Sequence, residues 1–229
     1  MKSKDYYKMK RLVRKSVGFD GGVVNVKYTF TSTNSKTGNT IQQWITPESW
    51  ERDNKSEKVD VKDSSSVCKD CPLMDTCYVK KGHAGMGLKS SAKSKNYTVG
   101  DEGQYIDKFT DEFVRFGAFG EPVLAGQDAT EQIVKVASSW TGYTHQWEDP
   151  KYGWSSKYFM ASVEDAEGKR RANALGFRTF RVGNSLDEMM DDEVLCPASK
   201  EAGRRVTCKE CKLCKGSTSK AKNIFIIKH

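Results

Sequence analysis

The sequence predicts an α/β protein: a parallel sheet with crossover helices, open or part of a barrel, preceded by a β-hairpin and followed by a cysteine-rich segment. Three observations carry this expectation. Between residues 113 and 195, short apolar runs alternate with stretches of helical periodicity, the pattern of strand–helix–strand crossovers. Before residue 66 the pattern has period two, with turn-forming residues between two such runs. After residue 195 come four cysteines and a run of basic side chains.

Residues 23–30 alternate apolar and polar side chains, as a half-buried strand does. The string Asn34-Ser-Lys-Thr-Gly38-Asn is turn chemistry, and residues 40–45 read as the return strand. Residues 47–66 are polar, so residues 1–66 are expected as a β extension with its linker. A short helix is expected over 73–81, and a loop over 88–103, which is rich in Gly, Ser and Lys. Residues 113–119 read as a strand. Residues 129–140 read as a helix, with Ile133, Val136 and Ala137 at helical spacing. Strands are expected over 141–147 and 158–163. Residues 165–175 form a helix pattern closed by Gly176, where left-handed backbone commonly ends a helix. A strand over 177–182 and a short helix over 185–190 follow, with Ser185 as N-cap. Val194 and Leu195 lead into Cys196, and 224–227 reads as a last strand.

Charged residues make up 30% of the chain, and no run reaches the about 18 apolar residues of a membrane span. The opening Met-Lys-Ser-Lys-Asp-Tyr-Tyr-Lys lacks the apolar core of a signal peptide. The expected location is the cytoplasm, where thiols stay reduced and clustered cysteines are more often metal ligands than disulfides. The net charge of +8 is uneven. Nine Lys or Arg lie between Lys200 and Lys228 against Glu201 and Glu210, and Lys80, Lys81, Lys89, Lys93 and Lys95 form a second stretch. Such patches suit a nucleotide or nucleic acid as partner. They equally suit a solvated surface, or the offsetting of metal-bound thiolates.

The seven cysteines divide into Cys68, Cys71 and Cys77 upstream, and Cys196, Cys208, Cys211 and Cys214 downstream. Four soft ligands close a metal site, and three leave one position open. The upstream three suit an iron–sulfur cluster, or a zinc site completed by His83. The downstream Cys-x-x-Cys-x-x-Cys run with a remote Cys196 has ferredoxin-type spacing, and four thiolates suit zinc as well.

In parallel sheets, chemistry sits at the carboxyl ends of the strands. Those ends carry Gly117-Ala-Phe-Gly120-Glu121-Pro122, then Tyr143, Thr144, His145 and Gln146, then Ala161-Ser162-Val163-Glu164-Asp165, then Arg181. Each has a plainer reading. Gly-Glu-Pro also makes an ordinary turn, and His145, between Tyr143 and Trp147, also suits a structural histidine.

A cysteine cluster ending in Cys-aromatic, followed by a strand ending in Gly-Glu-Pro, resembles the radical S-adenosylmethionine (SAM) superfamily. The Ala161-Ser-Val-Glu-Asp165 string, the helix after it, and Ala174-Leu-Gly-Phe-Arg-Thr-Phe180-Arg181-Val look like that superfamily's later strand–helix–strand units. The likeness covers residues 67–195. The cysteine gaps here are two and five residues, where the superfamily usually has three and two. More narrowly, the chain resembles a seven-cysteine family of phages and prophages. The strings that carry this are Cys-x-x-Cys-Pro-Leu, Arg-Phe-Gly-Ala-Phe-Gly-Glu-Pro, Thr-Gly-Tyr-Thr-His-Gln-Trp and Cys-Pro-Ala-Ser-Lys-Glu-Ala-Gly-Arg-Arg. That narrower likeness brings no reaction with it.

The resemblance implies a partial (β/α) barrel of radical SAM type over 67–195, with residues 196–229 as a cysteine cluster and basic tail. It implies a 4Fe–4S cluster on Cys68, Cys71 and Cys77 with S-adenosylmethionine on the open iron. Gly120, Glu121 and Ser162 would hold SAM, Arg181 its carboxylate, and Glu121, His145 and Tyr143 would serve catalysis. A second cluster would sit on the downstream cysteines, with a reductant protein as electron donor. The alternative is a non-enzymatic, zinc-stabilised basic protein that binds nucleic acid.

Overall fold

The computed structural model describes residues 9–34, 36–51, 64–74, 77, 97–203 and 206–228. The architecture is mixed α/β, with two sheets rich in parallel pairing and few helices. Among the described residues the strands do not close into a barrel, and no helix is long and apolar enough to cross a membrane.

The first sheet contains β1 (Arg11–Val17), β2 (Val23–Asn34), β3 (Gly38–Pro47), β4 (Thr98–Val99), β5 (Phe113–Phe119) and β6 (Ser139–Thr141), in the order β4-β1-β2-β3-β5-β6. The expected hairpin is β2 and β3, antiparallel with Val26 opposite Ile45. It is not an appendage. β3 pairs in parallel with β5, Ile41 opposite Val114, so the segment before residue 66 shares a sheet with the central region. β1 is an addition to the strands expected over 23–30 and 40–45, and three of its seven residues are basic. It forms because Leu12 and Val13 are buried while Arg14 bonds Glu102 and Lys15 bonds Asn25 of β2.

The second sheet is parallel throughout, in the order β10 (Glu193–Leu195), β11 (Asn223–Ile227), β9 (Thr179–Gly183), β8 (Met160–Val163), β7 (Tyr143–Thr144). The two sheets meet at Gly142. The extended segment pairs with β5 just before it and with β8 just after it. A Cβ at Gly142 would stand 2.6 Å from the Phe159 ring, so only glycine lets the chain pass there. The last strand expected over 224–227 is β11, wedged between β9 and β10 with Ile224, Phe225 and Ile226 buried.

Crossovers are helical only in part. α1 (Ser65–Cys68) carries the first cysteine, α2 (Gln127–Val136) joins β5 to β6, α3 (Ala166–Ala174) joins β8 to β9, and α4 (Cys208–Cys211) carries two downstream cysteines. α2 stops at Val136 rather than at 140, because the next residues leave to pair with β5. α3 keeps its expected bounds. Asp165 Oδ1 accepts the Gly168 N–H at 2.6 Å at one end, and Gly176 takes φ +82° at the other. The helix expected over 73–81 and the loop over 88–103 lie largely outside the described residues.

The main core joins Leu12, Val24, Ile41, Val114, Phe116 and Phe159. A polar chain runs through it. Arg14 donates to Glu102 at 2.7 Å, the Tyr28 hydroxyl donates to Glu102 at 2.8 Å, Gln43 donates to Tyr28 at 2.9 Å, and Gly117 N–H donates to Gln43 at 3.1 Å. Burial, then the Glu102 charge, holds the Tyr28 hydroxyl well above the usual tyrosine pKa, so it stays protonated as a donor. β1, β2, β3 and β5 are thereby tied by groups that would be costly to bury singly.

Gly120 follows β5 at φ +73°, and a Cβ there would lie 2.6 Å from the Ile45 carbonyl oxygen. Gly120→Ala is expected to lose about 2 kcal/mol, from backbone strain plus overpacking against β3. Urea unfolding should show this as a lower midpoint with an unchanged slope.

Candidate functional site

The residue after Gly120 gathers the site. Glu121 is 5% exposed, and a carboxylate that deep needs several hydrogen bonds. Its N–H donates to the Val67 carbonyl of α1 at 2.8 Å. Its Oε2 accepts the Thr144 hydroxyl at 2.6 Å, and Oε1 accepts the His145 main-chain N–H at 3.0 Å. Glu121 thus joins the end of β5, the end of β7 and the helix that ends in Cys68.

His145 lies across this junction. Its Nδ1 is 3.6 Å from Cys71 Sγ and 3.4 Å from Glu121 Oε1, and its Nε2 is 3.2 Å from Glu164 Oε1. Burial opposes a charge on the ring, but hydrogen bonds to Cys71, Glu121 and Glu164 outweigh it and raise the pKa to about 12. The Cys68 thiol is pushed up to about 12, by burial first, then by Glu121, Cys71 and Cys77, with a hydrogen bond to Ser64 opposing. Burial and these neighbours keep the Cys68 proton in place, so a metal binding that sulfur would expel it.

Beside His145 opens a cavity of about 500 Å³ at the carboxyl ends of β7 and β8, bordered by Lys69 and Pro72 of the cysteine loop, Trp147, Ser162 and Glu164. Five carboxylates line it (Asp70, Glu148, Asp149, Glu164 and Asp165) against Lys69, Arg171 and the His145 ring. Arg171 pairs with Glu148 at 2.8 Å and lies over the Trp147 ring. The walls favour a ligand with positive charge or hydroxyl donors.

Of the residues expected at the site, Glu121, His145 and Ser162 come together near the cysteine loop, with Gly120 packed on Ile45 behind them. Tyr143 and Arg181 do not join them. Successive side chains of a strand face opposite sides, so Thr144 meets Glu121 while Tyr143 packs on Phe180, ring centroids 4.5 Å apart. Arg181 is spent on Glu193, with Nε to Oε1 at 2.8 Å and Nη2 to Oε2 at 2.7 Å, and it lies over the Phe225 ring. Glu164 was not singled out from sequence. It stands beside Asp165 in one acidic pair, and only the fold separates the residue that caps α3 from the one that meets His145. His83 lies outside the described residues.

The downstream cysteines converge. Cys196, Cys208, Cys211 and Cys214 line one gap of about 20 Å³, bordered also by Tyr143, Pro197 and Leu213. That is room for about one water-sized particle. Cys196 N–H donates to the Phe225 carbonyl of β11 at 2.8 Å. α4 is capped reciprocally by Thr207 and Glu210, and its Cys208 N–H donates to the Lys36 carbonyl at 3.0 Å. The Cys214 thiol is pushed up to about 12 by burial and by the other three cysteines, opposed by a hydrogen bond from Tyr143. Burial raises the Cys208 thiol pKa as well, with the charges of Arg115 and Lys36 opposing it. Arg178 donates to the carbonyls of Leu213 at 2.8 Å and Gly216 at 3.1 Å, closing the loop around Cys214.

Among the described residues, no group of three or more His, Cys, Asp or Glu side chains stands in metal-holding geometry. The donor chemistry nevertheless fits soft metals at both places: thiols crowded around one another, with cations beside the downstream set. Comparison of the chain with protein-family models, curated proteins and solved structures found no match.

The Arg181–Glu193 pair is a buried ion pair, and breaking one side of such a pair costs about 3–5 kcal/mol. Arg181→Met should show that loss in chemical unfolding, whereas Arg181→Met with Glu193→Leu should recover most of it. Metal content should be the same in both variants. A metal loss specific to Arg181→Met would return Arg181 to the site.

Proposed function

We propose that the protein is a radical SAM-like iron–sulfur enzyme of partial-barrel type, acting in a phage setting on a nucleotide or nucleic acid. One observation carries the reading. The cysteine loop, the Gly-Glu-Pro carboxylate and a cavity of about 500 Å³ meet at the carboxyl ends of adjacent parallel strands. The parallel pairings β3–β5–β6 and β7–β8–β9–β11, joined at Gly142, support the same reading.

In this reading Cys68, Cys71 and Cys77 hold a 4Fe–4S cluster, and the downstream four hold a second metal centre. When bound and reduced, the cluster supplies the electron that cleaves SAM to methionine and a 5′-deoxyadenosyl radical. The chain's own residues bind and orient. The acid-rich walls suit the sulfonium and ammonium charges of SAM, and Ser162 and Glu164 suit its hydroxyls. Lys69 and Arg171, which line the cavity, replace Arg181 as partners for its carboxylate. Glu121 holds the cysteine helix at the strand ends through Val67. A polyanionic substrate would meet the site from its Lys69 and Arg171 side.

The test is anaerobic purification with iron, sulfide and zinc analysis, then dithionite and SAM. The expected result is iron and sulfide on the chain and 5′-deoxyadenosine in the mixture. Cys71→Ser should abolish the product and leave the downstream metal in place. Zinc at both sites with no iron would overturn the reading.

A second reading, a zinc-stabilised basic module that binds nucleic acid, is favoured by the downstream gap. Its size suits a single ion better than a cluster. Filter binding should then fall steeply with salt on a log–log plot, and a flat response would exclude phosphate contact.

A further inference from the structure

We infer that His145 is a positioning residue for the upstream cluster: it donates a hydrogen bond from Nδ1 to the Cys71 sulfur and thereby raises the cluster's reduction potential. The inference rests on the iron–sulfur reading of Cys68, Cys71 and Cys77.

The groups around the ring carry it. Nε2 meets Glu164 Oε1 at 3.2 Å. Nδ1 meets Cys71 Sγ at 3.6 Å and Glu121 Oε1 at 3.4 Å. With Cys71 bound to the cluster as a thiolate, all three are acceptors, so each ring nitrogen has a hydrogen to donate. Glu121 is already engaged, since Oε1 takes the His145 main-chain N–H at 3.0 Å and Oε2 takes the Thr144 hydroxyl at 2.6 Å. The Nδ1 hydrogen lies between the Cys71 sulfur and Glu121 Oε1, so the sulfur shares it. Glu164 grips the far nitrogen and fixes the ring plane, the arrangement by which outer carboxylates orient histidines beside metal centres.

A hydrogen bond to a thiolate withdraws negative charge from it. The reduced, more negative cluster gains more from that than the oxidised one, so the donor raises the potential. Because Glu164 also lines the cavity, a ligand seated there would touch the group that aims the ring. Ligand binding and potential are coupled through two side chains.

The test compares wild-type protein with His145→Asn and His145→Leu, all loaded anaerobically, by potentiometric titration of the upstream cluster. Asn carries its amide nitrogen near the place of Nδ1, so it keeps a donor, whereas Leu keeps bulk and loses it. The expected result is a lowered potential in His145→Leu and near wild-type potential in His145→Asn. Equal potentials in all three, or equal shifts in both variants, overturn the inference. Should His145→Leu not fold, the reduced wild-type protein labelled with 15N-histidine answers by pulsed electron paramagnetic resonance. Weak nitrogen coupling supports a hydrogen bond, while no coupling, or strong coupling of a directly bound nitrogen, overturns it. 5′-Deoxyadenosine formation separates the two failures. Product with an unmoved potential sinks the role of His145 alone, and upstream cysteines without iron sink the function with it.

Discussion

A single buried carboxylate organises the molecule around its cysteines. Glu121 would be costly to bury alone. It is tolerated because its two oxygens receive a hydroxyl and a main-chain N–H from the end of β7, and its own N–H is given to α1. Those bonds are directional, so they set where three chain segments stand relative to one another. Cys68 is carried in by α1, and His145 is held by its backbone before its ring is considered. The preceding Gly120 makes this possible, since its bare Cα lets β5 close on Ile45 at the turn into Glu121. Loss of the carboxylate would free a helix end, a strand end and an imidazole together.

The local part of this organisation was legible in the sequence. The apolar run of β5 has the expected bounds, and α3 lies between a capping aspartate and a left-handed glycine as its end signals require. What was not legible is long-range. β1 reads as a basic stretch until Glu102, Asn25 and the core are known to lie beside it. Tyr143 and Arg181 stand at strand ends, as chemistry there would require. A strand end does not tell which face a side chain takes or which acid it will meet. Tyr143 faces the downstream sulfurs, and Arg181 is neutralised by Glu193, a residue twelve positions later.

The basic character of the C-terminal region also changes meaning. Arg178 spans three carbonyls around Cys214, Lys222 donates to the Asp191 carbonyl at 2.7 Å, and Lys209 donates to that of Asn39 at 3.2 Å. Several cations thus hold loops together or offset thiol charge, and fewer are left to form a phosphate-binding face. The two cysteine groups share one physical problem, since sulfurs brought together out of water resist ionising. They differ in surroundings. The downstream set has cations beside it and a gap of about 20 Å³, while the upstream set has carboxylates beside it and a roomy cavity.

The position of β11 bears on how the molecule comes to exist. A ribosome delivers β9 and β10 well before β11, yet β11 lies between them. β9 and β10 therefore cannot take their final places in the second sheet until β11 stands between them. The loop that carries Cys208, Cys211 and Cys214 is made during this interval and leads directly into the missing strand. A metal captured by those cysteines would shorten the search, because it would pin that loop to Cys196 at the end of β10 just before the strand is needed. On this view the downstream cysteines matter as much to the timing of assembly as to the finished fold.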